Sequence, residues 1–180
     1  MHESKASIFG FLELPDYLTL LGGALGILGA LAAIDNRFLL AAVLLVLTVP
    51  CDYFDAKLAR ALGRRYPEFG AALDTIVDTV SFGLCPVIFG YCLGLDSPFQ
   101  VALLIIFTGA AVLRLARFTV LPASREAFVG MPVTYNNLIF PLTYLVLSAV
   151  GLTVAVPYLF TLLYPASAYL MASTIRWKKF

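Results

Sequence analysis

Asp52-Tyr53-Phe54-Asp55-Ala56-Lys57-Leu58-Ala59-Arg60 and, after nine further residues, Gly70-Ala71-Ala72-Leu73-Asp74-Thr75-Ile76-Val77-Asp78 place four carboxylates in two consecutive apolar stretches. Asp52 and Asp55 are three residues apart and share one face of a helix, which Ala59 continues. Gly70, Asp74 and Asp78 are spaced by four and share one face of the next. A short connection makes two such helices antiparallel neighbours. Both pairs of acids then meet at similar depth.

The surroundings of these stretches decide what the acids mean. Of 180 residues, 61% are hydrophobic and 13% charged, where a soluble domain is nearer half apolar. Six apolar stretches approach or reach spanning length: Tyr17–Ile34, Phe38–Leu62, Phe69–Leu95, Phe99–Leu121, Pro132–Val150 and Val154–Ile175. Runs near twenty residues are too long for the alternating strands of a barrel, and within lipid only helices and closed barrels satisfy the backbone. The expected fold is an all-α integral membrane bundle of six transmembrane helices, with one domain over residues 17–180. Residues 1–16 form an N-terminal segment in which Ala6–Leu14 is apolar but too short to span. It reads either as a helix lying at the membrane interface or as a frayed terminus. Asp16, after Pro15, is placed to cap the first span. Glu3, Glu13 and Asp16, with no apolar core before small residues, do not form a cleaved leader.

With six spans, both termini share a side with the second and fourth connections. That side collects Lys5, Lys57, Arg60, Arg64, Arg65, Arg114, Arg117, Arg125, Arg176, Lys178 and Lys179, and the other side only Arg37. The positive-inside rule therefore puts both termini and the acidic faces on the cytoplasmic side of a cell (inner or plasma) membrane.

Composition excludes several chemistries. A net charge of +1 provides no basic field for nucleic acid. The single histidine, His2, rules out a Ser-His-Asp triad and histidine-ligated zinc. Cys51, Cys85 and Cys92 lack metal-ligand spacing and read as small buried hydrophobes. Four clustered carboxylates repel one another unless they are protonated or bridged by a cation. With oxygen ligands alone, the ion is hard: Mg²⁺ or Mn²⁺, with Ca²⁺ as a non-productive alternative. Two ions about 4 Å apart would suit phosphoryl transfer. Ion pairing with Lys57, Arg60, Arg64 and Arg65 is the plainer explanation of the acids, but it requires no such same-face order.

The order Asp52, Asp55, Ala59-Arg60, Gly70, Asp74, Asp78 resembles the signature of the CDP-alcohol phosphotransferases. It departs from that signature at Ala56, where the family has a glycine close to the nucleotide. Pro15-Asp16-Tyr17-Leu18-Thr19 resembles the family's approach to its first helix. Ser81-Phe82-Gly83-Leu84-Cys85-Pro86, Arg114-Leu115-Ala116-Arg117-Phe118 and Phe128-Val129-Gly130-Met131-Pro132 resemble elements of its phosphatidylserine synthase branch. The resemblance implies that Asp52, Asp55 and Asp74 hold metal and that Asp78 contacts metal or acts as the catalytic base. It implies that Asp52, Ala56, Ala59, Arg60, Gly70 and Asp74 surround the nucleotide. The implied reaction is attack by L-serine on the β-phosphorus of CDP-diacylglycerol, or of CDP-archaeol, releasing CMP. The implied assembly is a homodimer in membrane lipid.

Arg114 and Arg117 offer forks for the serine carboxylate or a lipid phosphate, and snorkelling to headgroups is their plainer reading. Ser81 reads as a contact to the acceptor or as a serine bonded to its own helix. Asn136 and Asn137 read equally as pocket lining or as interhelical hydrogen bonds. Gly22-x-x-x-Gly26 reads as helix packing, and Pro50 as a kink. The rival acceptors are choline, glycerol 3-phosphate and an inositol phosphate. The rival class is a small cation transporter or channel using the aspartates. A third reading, motivated by Ala56, is a family member with impaired catalysis.

Overall fold

The computed structural model describes residues 7–120 and 127–178. The expectations placed on His2, Lys5, Arg125 and Lys179 lie outside the described residues. The chain is helical throughout its apolar stretches: α1 (Leu14–Ile34), α2 (Phe38–Leu62), α3 (Pro67–Asp78), α4 (Cys85–Cys92), α5 (Pro98–Val120), α6 (Asn136–Ala149) and α7 (Val156–Ala172). A π-helical turn, Thr79–Leu84, joins α3 to α4, so that the two form one rod over Pro67–Cys92.

Five rods are long and apolar enough to cross a membrane. The sixth, α6, has 14 residues and extends at its start through a 3-10 turn, Val133–Tyr135. Outward faces are apolar: Ile105, Leu113 and Leu162 are all about two-thirds exposed or more. Such surface is costly in water and neutral in lipid.

Each sequence feature at a helix end has a local cause. Glu13 is the N-cap of α1, and Asp16 stands three positions into the capping box, its carboxylate accepting the Glu13 N–H at 2.8 Å. Asp16 is thus not itself the N-cap, because the helix begins at Leu14 rather than at Tyr17. Gly63 follows the end of α2 with φ +69°, a conformation that L side chains rarely adopt. Pro67 opens α3, where a missing N–H costs nothing. The helix α2 continues on both sides of Pro50.

Glycines set the position of α1. A Cβ on Gly22 would meet Cys51 at 3.2 Å, and one on Gly29 would meet Leu45 at 3.1 Å, both on α2. The corresponding contacts for Gly23 and Gly26 are Val77 and Ser81 on the third rod. Small residues let helices approach closely where dispersion provides most of the attraction. The glycines therefore seat α1 in the groove between α2 and the third rod.

Farther along the bundle, Phe89, Phe107, Phe140, Phe160 and Tyr164 form a buried aromatic core. Phe140 stacks on Tyr164 with centroids 4.0 Å apart, and Phe107 meets Tyr164 edge-on at 5.0 Å. The Tyr164 hydroxyl donates to the Pro86 carbonyl.

Two features lie outside the sequence expectation. Ile8–Phe11 is a single 3-10 turn rather than a longer interfacial helix, with Phe11 packed on Tyr66 and Phe69. A two-stranded antiparallel pairing joins β1 (Ala127–Val129) to β2 (Arg176–Lys178), with Phe128 opposite Trp177 in register. The Gly130 N–H continues it by donating to the Ile175 carbonyl at 2.9 Å. This pairing satisfies backbone groups where the chain leaves its helices.

Gly90 tests the packing. A Cβ there would overlap the Tyr164 ring, which is fully buried and stacked on Phe140. Gly90→Ala is expected to destabilise by about 1–3 kcal/mol through overpacking. Thermal unfolding in detergent measures this, and an unchanged midpoint would show that the core yields there.

Candidate active site

The second half of α2 and the whole of α3 carry the acids; the four-residue connection from Gly63 to Tyr66 joins them, and α1 packs against both. Asp52, Asp74 and Asp78 each present a carboxylate oxygen, all within 4.8 Å of one another. Three like charges at this separation in a low-dielectric span need a cation or protons. The ligand set is carboxylate oxygen only, which fits a hard divalent ion.

Asp55 stands beside this group but is held differently. It is buried, and the Thr19 hydroxyl of α1 donates to its Oδ2 at 2.6 Å. The cluster as read from sequence thus divides into three convergent carboxylates and a fourth fixed by α1.

Asp16, one turn before Thr19, is also buried and pairs with the Arg64 guanidinium at 2.6 Å. Its second oxygen accepts the Glu13 N–H, and the Glu13 carboxylate accepts the Arg65 N–H at 2.8 Å. The start of α1 is therefore bonded to the α2–α3 connection at two points. A buried charge of this kind is stable only when paired and hydrogen-bonded.

Two arginines lie within electrostatic reach of the cluster. Arg64 acts electrostatically on Asp55 and Asp74, and Arg114 on Asp52 and Asp78. The Nε of Arg114 is buried without a hydrogen-bond partner among the described residues. Arg117, one turn on, is exposed, as are Arg60 and Ala56, while Ala59 is half-buried. Gly70 is buried, and the space beside it is taken: a Cβ there would overlap the Arg64 guanidinium.

The π turn follows Asp78 directly and has a covalent cause. The Cys85 N–H reaches back to the Val80 carbonyl. The next donor in that pattern would be residue 86, and Pro86 has no N–H. The Ser81 carbonyl is left over. Asn137 of α6 satisfies it: its amide donates to Ser81 O at 2.9 Å and to Thr48 Oγ1 at 2.8 Å. Thr48 in turn donates to the Leu45 carbonyl at 2.6 Å and lies one turn before Asp52. One buried amide thus links both acid-bearing rods to α6. Of the two readings of Asn137, the interhelical bond is the one observed. Asn136 is likewise buried, against Met171 of α7.

Ser81 is also buried, and its Oγ has no partner among the described residues. It lines a narrow cavity of about 10 Å³ with Thr19, Thr48, Asp52, Asp55 and Asp78. That volume is about the size of one water and far below that of an amino acid.

Sequence reading did not single out Thr19, Thr48 or Arg64 as parts of the site. A signal existed for two of them. Thr19 falls three residues after Asp16, and Thr48 four before Asp52, each on the face of an intramembrane acid.

A helical membrane bundle with an all-carboxylate cluster between its second and third rods is the class of protein these features define. Residues 12–175 match the model of the CDP-alcohol phosphatidyltransferase family, and the chain belongs to that family. It is 36% identical over 137 residues to an archaetidylserine synthase of Methanothermobacter thermautotrophicus, covering 74% of this chain and 57% of that protein. It is 35% identical over 133 residues to a CDP-diacylglycerol–serine O-phosphatidyltransferase of Methanocaldococcus jannaschii, covering 74% and 61%. A Saccharomyces cerevisiae protein of the same name is 30% identical over 152 residues, covering 78% and 54%. The chain spans little more than half the length of these relatives.

Asn137→Ala leaves the Ser81 carbonyl and the Thr48 hydroxyl each short of a buried partner. The expected cost is about 1–3 kcal/mol, read as a lowered unfolding midpoint in detergent. A midpoint equal to wild type would show that the amide link does not hold the rods together.

Proposed function

We propose that this protein transfers a phosphatidyl-type group from a CDP-linked lipid to L-serine and releases CMP. The convergence of Asp52, Asp74 and Asp78 within 4.8 Å is the observation that carries the reading. Family membership and the serine-directed relatives support it. The donor is CDP-diacylglycerol or CDP-archaeol, which present the same headgroup.

The proposed roles follow from position. Asp52, Asp74 and Asp78 hold Mg²⁺ or Mn²⁺, with Asp55 completing the set from its Thr19 anchor. The bound cation would neutralise the pyrophosphate and the charge that develops on departing CMP. Ala56, Ala59, Arg60 and Gly70 border the nucleotide. Asp78 takes the proton of the serine hydroxyl as its oxygen bonds to the β-phosphorus. The bond from that phosphorus to the bridging oxygen breaks, and the electron pair leaves on CMP. Arg114, with a buried unpartnered Nε facing the Asp52–Asp78 side, receives the serine carboxylate. Exposed Arg117 meets a lipid phosphate, and Ser81 supports the acceptor side through the water-sized cavity. The basic residues that the sequence collects on one side support a site and both termini facing the cytoplasm. Residues 17–180 form one catalytic domain, residues 1–16 lie at the membrane interface, and two copies associate as in the family.

Purified protein with Mn²⁺ is expected to release CMP from CDP-diacylglycerol when L-serine is supplied, and to remain at background with choline, glycerol 3-phosphate or an inositol phosphate. Asp78→Asn should lower kcat by about 10²–10⁴-fold. Turnover with another alcohol alone would replace the acceptor. Failure to bind CDP-lipid or CMP at all would favour ion transport by the aspartates.

A further inference from the structure

The Arg64 guanidinium occupies an unusual place. It lies beside Gly70, where any side chain larger than hydrogen would collide with it. Gly70 is one turn before Asp74 on the acid-bearing face of α3. The nitrogen nearest Gly70, Nη1, is the one that donates to Asp16 at 2.6 Å, and Asp16 is 1% exposed and bonded to its own helix start. Asp16 receives one of the five N–H donors that an arginine carries, and no second hydrogen bond of Arg64 is seen among the described residues. The side chain is 13% exposed, so its remaining donors lie at the edge of the site rather than in bulk water.

Buried Asp16 needs a partner, and Arg64 supplies it with a single nitrogen. The pairing fixes a positive fork beside Gly70, one turn before Asp74, where it acts on Asp55 and Asp74. A planar fork with free donors suits phosphate oxygens.

We propose that Arg64 binds the diphosphate of the incoming cytidine nucleotide beside Gly70, and that Asp16 is the positioning residue that holds the guanidinium in place. This rests on the reading that a CDP-lipid enters at Gly70. It adds Arg64 to the residues around the nucleotide, beside Arg60, whose side chain is exposed.

The test uses full-length protein in detergent with Mn²⁺, comparing Kd for CDP and for cytidine by calorimetry in wild type, Arg64→Gln, Arg64→Lys, Asp16→Asn and Arg65→Gln. Arg64→Gln is expected to weaken CDP by about tenfold to a hundredfold, the usual loss for a charge-assisted hydrogen bond, with cytidine unchanged. Arg64→Lys should recover part of the loss, Asp16→Asn should weaken CDP less than Arg64→Gln does, and Arg65→Gln should match wild type. In turnover, KM for CDP-diacylglycerol should rise in Arg64→Gln while kcat is retained. Unchanged or tighter CDP binding in Arg64→Gln would overturn the proposal, the latter by showing that Arg64 competes with the nucleotide. An equal loss for cytidine would reduce Arg64 to a structural role. Wild type that binds CDP but moves no phosphatidyl group from CDP-diacylglycerol to serine would leave Arg64 standing and remove only the acceptor. Wild type that binds no CDP would overturn the nucleotide reading and this proposal together.

Discussion

Mutual repulsion among carboxylates inside a membrane span is the constraint on which the rest of the structure depends. Asp52, Asp74 and Asp78 converge within 4.8 Å, with Asp55 close by, in helices whose outer faces are apolar. Such a group stays in place only if its charge is relieved by a cation or by protons and its supporting contacts are made. The connection from Gly63 to Tyr66 joins the two acid-bearing helices, and α1 packs against both. The glycine faces of α1 bring a third helix close enough for Thr19 to hold Asp55. Features that look like generic membrane-helix packing therefore bear directly on the geometry of the site.

The irregular part of the third rod follows the same logic. Pro86 removes an N–H, the helix widens into a π turn immediately after Asp78, and a carbonyl is left without a donor. Asn137 closes that gap and at the same time reaches Thr48 below Asp52. A polar side chain is costly in lipid unless satisfied, so this amide ties α6 to the two acid-bearing rods. At the other end of the cluster, the Asp16–Arg64 pair and the Glu13 bond to the Arg65 N–H tie α1 to the connection. The site is braced at both ends by groups with few alternative partners.

Much of this was legible in sequence because helical periodicity is local. The spacing of three between Asp52 and Asp55, and of four between Asp74 and Asp78, placed the acids on two facing surfaces before any coordinates. The division of that quartet was not legible. Thr19 lies 36 residues from Asp55, and only tertiary packing brings them together. The π turn was equally hidden, since Pro86 after an apolar run reads as an ordinary helical residue until its missing donor is traced to Ser81. Arg60 and Arg64 differ by four residues, and periodicity gave no reason to single out the second. Its place depends on Asp16, 48 residues away. The strand pairing of β1 with β2 depends on the chain's return after α7, which local composition does not encode.

Family membership and the carboxylate-only cluster are compatible with a divalent cation. The central claim is that the three carboxylates form a divalent cation site used together with a cytidine nucleotide. Electron paramagnetic resonance of Mn²⁺ added to the purified protein tests this most directly. The account predicts bound Mn²⁺ whose spectrum changes on addition of CDP and whose binding is lost in an Asp52→Asn, Asp74→Asn double variant that remains folded. Mn²⁺ that stays free, or that binds the double variant as it binds wild type, would contradict it.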